Sequence, residues 1–249
     1  MRPARVVTTG LLVLLVAFLA APGAFAGLFE PLTRHGAAPI YTQASLLSLT
    51  LHHLALVAAA TVASTLVAVG LAIATTRPAG LPFLPLARAV ANIGQTFPPV
   101  AVLALAVPVF GFGTVPTLMA LFLYGLLPIF ETALTGLTEL APEARDAGTA
   151  CGMTDRQRLL KVELPLAFPV ILSGIRLSAV IGLATATIGS TVAASTLGEV
   201  IISGLLTGNT AFVLQGGLVV AVLAILLNEA FTTLEAYAAR RAGRPPAKA

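Results

Sequence analysis

The chain has 249 residues, 57% of them apolar and only 10% charged, with a net charge of +4. A soluble domain carries about a quarter charged residues, and a chain of this size cannot hide so much apolar surface in one water-bathed core. Its solvent is therefore partly lipid, and the positive balance marks a membrane side rather than a nucleic-acid partner.

One cysteine, Cys151, excludes an internal disulfide, and His35, His52 and His53 are too few and too poorly spaced to suggest a metal cluster. A bilayer crossing needs about 20 mostly apolar residues. In chain order, 6–26, 46–74, 89–110, 115–137, 166–193 and 211–234 qualify. The first run follows Arg2 and Arg5 and ends in Ala-Phe-Ala-Gly, which fits a cleaved signal peptide or a retained helix. Its length, and the membrane segment that comes next, favour the retained helix.

Lysine and arginine orient the spans. With the N-terminus inside, the cytoplasmic pieces are residues 1–5, 75–88, 138–165 and the C-terminal tail. These pieces hold every basic residue except Arg34 and Arg176. Residues 1–44 then form a first helix and outside loop, 45–235 the transmembrane body, and 236–249 a basic cytoplasmic tail. Both termini lie in the cytoplasm.

The 138–165 loop is a charged island, holding Glu143, Arg145, Asp146, Asp155, Arg156, Arg158, Lys161 and Glu163. It reads as two short helices. Pro142 suits a first helical position, and Glu143 and Asp146 lie near that N-terminus, where negative charge is favoured. Gly148 and Gly152 loosen the end of the first helix, and Gly152 is suited to a left-handed turn. Thr154-Asp155-Arg156-Gln157 has the form of a capping box and opens a second helix. Leu159, Leu160 and Glu163 are expected to share one side of that helix, and Pro165 to end it. Such a loop is either a solvated connection with ordinary caps or a docking element for a soluble partner.

In its spacing the island resembles the cytoplasmic signature of binding-protein-dependent ABC transporter permeases: E-A-A, three residues, G, nine residues, I, any residue, L-P. Leu164-Pro165 sets the register, which puts Asp146-Ala147-Gly148 at E-A-A, Gly152 at the glycine and Val162 at the isoleucine. Glu143-Ala144-Arg145 is out of register. Asp for Glu and Val for Ile are mild departures; Gly148 in place of alanine weakens the helix by about 1 kcal/mol at most. The stretches 92–137 and 162–205 resemble the osmoprotectant branch of these permeases, which imports glycine betaine, carnitine, choline and related amines. Where that branch often has G-A-G-G-L-G, this chain has Ala193-Ala194-Ser195-Thr196-Leu197-Gly198.

The resemblance implies an all-α polytopic membrane protein of the type I ABC importer permease fold, with about six transmembrane helices. It implies a permease subunit that carries no cofactor and hydrolyses nothing, and the chain has no G-x-x-x-x-G-K-[ST] phosphate loop. The implied partners are a separate ABC ATPase subunit, an extracytoplasmic solute-binding protein, a second permease copy or paralogue, and membrane lipid. Asp146, Ala147, Gly148, Gly152, Val162, Leu164 and Pro165 become the ATPase-coupling residues. An ABC permease for an amino acid or an oxyanion is the alternative within this class, and an ion-coupled secondary transporter the alternative outside it.

Polar residues within spans usually face a bundle interior or a water-filled path. Asn92, Gln95 and Thr96 share one face of the third span and are candidates to line the translocation pathway, or else to bond a neighbouring helix. Phe97-Pro98-Pro99 follows and breaks or bends that helix. Arg176 can pair with Glu131 or snorkel.

Overall fold

The computed structural model describes residues 3–33 and 36–243, the side chains of residues 3–5 excepted. Arg2, Arg34, His35, Arg244 and Lys248 lie outside the described residues. Among the described residues all regular structure is helical: α1 (Pro3–Ala20), α2 (Ala26–Phe29), α3 (Leu46–Thr75), α4 (Leu84–Thr96), α5 (Pro99–Phe110), α6 (Thr114–Thr138), α7 (Pro142–Ala150), α8 (Asp155–Arg158), α9 (Leu164–Ala186), α10 (Gly198–Thr207) and α11 (Thr210–Arg241).

Four helical runs are long and apolar enough to cross a membrane unbroken: α3, α6, the run Asp155–Val192 that contains α9, and α11. They contain the expected runs 46–74, 115–137 and 211–234 and all but the last residue of 166–193. The other two expected spans differ from simple helices. The first bends by 112° between Val6–Ala20 and Pro22–Leu32. The third begins earlier than residue 89, taking Arg88 into α4, and bends by 95° between α4 and α5. Phe97 at that break is extended, with φ −108° and ψ 141°. This is where a residue preceding a proline is driven by the clash with the proline ring. Counting each bent pair as one span gives six.

The chain folds as two compact units, to each of which α3, α6, α9 and α11 contribute residues. The first unit takes Met1–Ala60, Pro98–Leu121 and Val180–Glu229. Its core gathers Tyr41, Leu46, Leu49, Val57, Leu183, Leu197, Phe212 and Val219. Buried polar groups inside it are matched. The Leu197 N–H donates to His53 Nδ1 at 3.3 Å, which fixes the tautomer, so that His53 Nε2 donates to the Leu183 carbonyl at 3.0 Å. Gln215 accepts from the Tyr41 N–H at 3.1 Å and donates to the Pro39 carbonyl at 2.7 Å. An unpaired amide in such surroundings would cost several kcal/mol.

The second unit takes Thr61–Phe97, Phe122–Ala179 and Ala230–Ala249. Its core is built on small residues, Ala68, Ala72, Ala91, Ala133 and Ala167, packed with Ile129, Phe130 and Leu137. Small residues let helix backbones approach closely where lipid supplies no hydrophobic drive between helices. A Cβ at Gly94 of α4 would fall 2.2 Å from the Leu123 carbonyl oxygen of α6, and one at Gly174 of α9 would fall 1.9 Å from Thr132 Oγ1 of α6. At the first of these approaches, Gln95 Nε2 donates to the Tyr124 carbonyl at 3.0 Å and the Tyr124 hydroxyl donates to the Phe97 carbonyl.

Gly94→Ala is expected to push α4 off α6 and destabilise the protein by about 1–3 kcal/mol. Gly70→Ala, where no atom lies within 4 Å of the added Cβ, is expected to cause no loss. Thermal unfolding of both variants in detergent, followed by circular dichroism, checks the difference. Equal melting for the two would mean that the α4–α6 approach is not tight.

Candidate functional site

The charged island forms as two capped pieces joined by a sharp turn. Pro142 opens α7, with Glu143 in its first turn. The helix closes with two bonds, Met153 N–H to the Gly148 carbonyl at 3.1 Å and Gly152 N–H to the Thr149 carbonyl at 2.9 Å. Gly152 sits between them at φ +71°, left-handed as expected. This bond pair satisfies carbonyls that the end of a helix would otherwise orphan. Thr154 then caps α8. Its hydroxyl accepts from the Gln157 N–H at 3.3 Å, and Gln157 Oε1 accepts from the Thr154 N–H at 2.9 Å, the reciprocal pair expected of a capping box.

Two expectations fail beyond this point. Pro165 does not end the second helix, because α8 runs through a π-turn at Leu159–Glu163 into α9 without a break. The Leu164 N–H reaches back five residues to the Leu159 carbonyl. Pro165 then falls in the first turn of α9, where the wide π-turn already interrupts the usual ladder and a missing N–H is tolerated. The wider turn also changes the side-chain register. Leu159 and Glu163 face inward while Leu160 is exposed, so the three do not share a side.

Glu163 is the centre of the island. It is 1% exposed. Arg77, from the connection after α3, donates to its Oε2 at 2.5 Å. Arg158, from α8, donates to Oε1 at 3.2 Å, and Arg145 Nε, from α7, stands 4.0 Å from Oε1. Arg158 also holds Asp155 at 2.7 Å and the Thr149 hydroxyl at 3.1 Å, while Arg145 donates to the Leu137 carbonyl at the end of α6. Burial opposes ionisation of Glu163, which precedes the apolar run of α9. Arg77, Arg158 and Arg145 outweigh that effect and hold its carboxyl below the usual carboxylate range.

Of the residues that the spacing singled out, Asp146 and Ala147 are exposed on α7 and Gly152 is exposed at the turn. Gly148 is buried against Arg158 and Met153. A Cβ at Gly148 would meet Arg158 Cγ at 3.4 Å, an ordinary contact, so glycine for alanine there is a matter of helix propensity and not of space. At Gly152 nothing lies within 4 Å, so the turn is not a packed joint and only its φ restricts the residue. Val162 is half-buried in the π-turn, with Leu164 and Pro165 just beyond.

Asn92, Gln95 and Thr96 are all exposed on α4. Gln95 bonds α6, as described, and the Thr96 hydroxyl donates to the Ile93 carbonyl at 2.7 Å. One turn before Asn92, Arg88 makes a two-pronged pair with Glu131 of α6, at 2.6 and 3.1 Å. Glu131 therefore does not pair with Arg176, which instead donates to Glu235 of α11 at 2.7 Å. The sequence located Arg176 and Glu131 in the fifth and fourth spans but gave no information about which helix stood opposite each.

A family model described as "Binding-protein-dependent transport system inner membrane component" matches residues 67–244. The osmoprotectant import permease protein OsmY of Salmonella typhimurium is 38% identical over 199 residues, covering 80% of this chain and 83% of that one. The carnitine transport permease protein OpuCD of Listeria monocytogenes is 42% identical over 140 residues, 56% of this chain and 63% of that protein's length. An inward-facing structure of the MetNI methionine ABC transporter covers 78% of this chain and 95% of its own, with a TM-score of 0.68 at 18% identity. The last is a likeness of fold.

Glu163→Gln leaves three arginines converging on a neutral amide. Removing one partner from a buried pair costs about 3–5 kcal/mol; with water reaching arginines that are 21–38% exposed, roughly 2 kcal/mol is expected. The sign of the pH dependence follows from the lowered carboxyl. Its stabilisation is complete above the unfolded-state carboxylate value and is lost as pH falls through the lower folded value. The melting gap between wild type and Glu163→Gln should therefore be widest near neutrality and close in acid. A gap that does not change with pH would rule out an ionised Glu163 as its source.

Proposed function

The chain belongs to the family of binding-protein-dependent transport system inner membrane components, and from that premise we propose that it is the permease subunit of an ATP-driven importer of a quaternary-amine osmoprotectant. The solute class rests on the relatives, named for osmoprotectant, carnitine, and glycine betaine/carnitine/choline transport. Hydrolysis belongs to a separate ATPase subunit, and solute arrives from an extracytoplasmic binding protein. The permease works beside a second copy or a paralogue, with the island and both termini in the cytoplasm.

The observation that carries the coupling role is the division of the island into two faces. Its inward face is anchored through Arg145 and Arg158 to buried Glu163. Its outward face leaves Asp146, Ala147 and Gly152 exposed, and no bond or ion pair engages the Asp146 side chain among the described residues. We assign that outward face to the ATPase. ATP-driven closure of the ATPase pair moves α7, Glu163 transmits the movement to the base of α9 just before Leu164 and Pro165, and the spans reopen outward. The exposed polar face of α4, with Asn92, Gln95 and Thr96, is assigned to the solute pathway.

Co-expression with its ATPase and receptor partners should give ATP-dependent uptake of glycine betaine, carnitine or choline. If uptake follows ion gradients instead of ATP, the reading is wrong. Reporter fusions after Ala79 and Gly152 should read cytoplasm, and those near Gly36 and Gly204 outside. Gly152→Asp enters open space, so the protein should insert and fold despite about 1–2 kcal/mol of left-handed strain. It should nevertheless lose most ATPase co-purification and uptake, and a variant that keeps both removes the island from the coupling path.

A further inference from the structure

The first unit contains a cavity of about 270 Å³ that is separate from the island, lined by Gln43, Ser190, Glu199, Ile202, Ser203, Leu206 and Thr207. That is near the lower end of the roughly 300–1,000 Å³ of ligand pockets, suited to a solute of a few heavy atoms. Glu199 stands in the first turn of α10. The Tyr41 hydroxyl donates to its Oε1 at 2.8 Å. Tyr41 is itself fixed, 2% exposed, edge-on to Phe212 and bonded through its N–H to Gln215. Burial, and then the neighbouring carboxylate, push the Tyr41 hydroxyl far above its ordinary pKa, so it remains a donor.

Among the described residues no arginine, lysine or histidine pairs with Glu199, and no bond reaches its second oxygen. A negative charge is favoured in a helix's first turn, but that does not explain why the carboxylate opens into a cavity. Two of the three lining hydroxyls are turned elsewhere. Ser190 Oγ bonds Thr196 Oγ1 at 2.7 Å, and the Thr207 hydroxyl donates to the Ser203 carbonyl at 2.7 Å. The Ser203 hydroxyl makes no bond among the described residues. The cavity therefore offers one carboxylate oxygen, that hydroxyl, carbon walls from Ile202 and Leu206, and the Gln43 amide. A metal ion would require about six oxygen ligands. A primary ammonium, with three N–H groups to satisfy, would have to draw on the carboxylate, the Gln43 carbonyl and the Ser203 hydroxyl together. A fully methylated ammonium has no N–H to satisfy; it needs one counter-charge and apolar contact for its methyl groups.

We propose that this cavity is a transit site for a small methylated ammonium ion, with Glu199 as the counter-ion and Tyr41 as the residue that positions it. Its solute class deepens the importer reading and rests on it, but the site itself is tested by direct binding. The probe is tetramethylammonium, titrated calorimetrically into the full chain in detergent. Saturable binding is expected, with potassium failing to compete. Removal of the cavity's described counter-charge in Glu199→Gln should weaken it about tenfold or more. Tyr41→Phe keeps the charge and loses only its anchor, so it should weaken binding by about threefold. Should Glu199→Gln fail to fold, Leu206→Lys, at an 83% exposed position, places a competing cation at the cavity and should abolish binding. No binding by wild type, or binding unaffected by Glu199→Gln or by Leu206→Lys, overturns the site. Equal loss in Glu199→Gln and Tyr41→Phe also overturns it, reducing the pair to a structural tie. Choline uptake by the assembled wild-type transporter, measured in parallel, separates the two readings. Uptake without tetramethylammonium binding removes the transit site alone, whereas absence of uptake removes the importer reading and leaves the binding result to decide the cavity.

Discussion

A carboxylate removed from water must find positive charge, and Glu163 lies almost wholly buried at the foot of a membrane helix. Its needs organise everything around it. Two of its three arginines come from the island itself, and the third, Arg77, comes from the connection after α3. Arg145 continues to the end of α6 through the Leu137 carbonyl. One buried charge thus holds α7, α8 and the foot of α9 in a fixed arrangement with the ends of α3 and α6. The π-turn belongs to the same device. A five-residue turn brings Glu163 inward while Leu160 remains outside, and a regular α-helical turn would divide these positions differently.

The rest of the second unit depends on the opposite strategy. In an apolar medium, helices gain little by hiding apolar surface from one another, so contact rests on close packing and on bonds between polar groups. Gly94 and Gly174 bring backbones within reach, and where α4 meets α6 the Gln95 amide and the Tyr124 hydroxyl join them. In the first unit His53 and Gln215 serve the same purpose, each tying together backbone groups of separate segments.

Local chemistry was legible in the sequence. Long apolar runs gave the four unbroken spans, Phe97-Pro98-Pro99 gave the sharp bend, Thr154 with Gln157 gave the cap, and Gly152 gave the left-handed turn. These depend on residues within a few positions of one another. What the sequence did not reveal lies across long separations: Arg77 and Glu163 are 86 residues apart, and Tyr41 and Glu199 are 158 apart. Periodicity tells which face a residue occupies and not what stands opposite it, which is why Arg176 was offered Glu131 when its partner is Glu235. A signal for the hub was nonetheless present. Glu163 directly precedes an apolar run, where an acid must find cations or remain solvated, and Arg145 and Arg158 stand in the same loop. The π-turn had no such signal, because nothing local to Leu159–Glu163 distinguishes it from an ordinary helix.

The two faces of the island explain why one loop can be both rigid and available. If its charges were all satisfied internally, no surface would be left to recognise a partner; if none were, α7 would be free to move without moving α9. Arg145 and Arg158 point inward to one buried acid and secure the connection to the membrane helix, while Asp146 and Ala147 on the same short helix remain exposed. Under the proposed docking, a displacement of α7 cannot be absorbed locally. The Gly152 turn is closed by its own hydrogen bonds, and stretching Arg145 and Arg158 away from Glu163 would strip two of the three arginines described around that buried carboxylate. Under that proposal, moving the helix foot along with α7 keeps the hub intact, and a push on a soluble surface becomes a movement within the membrane.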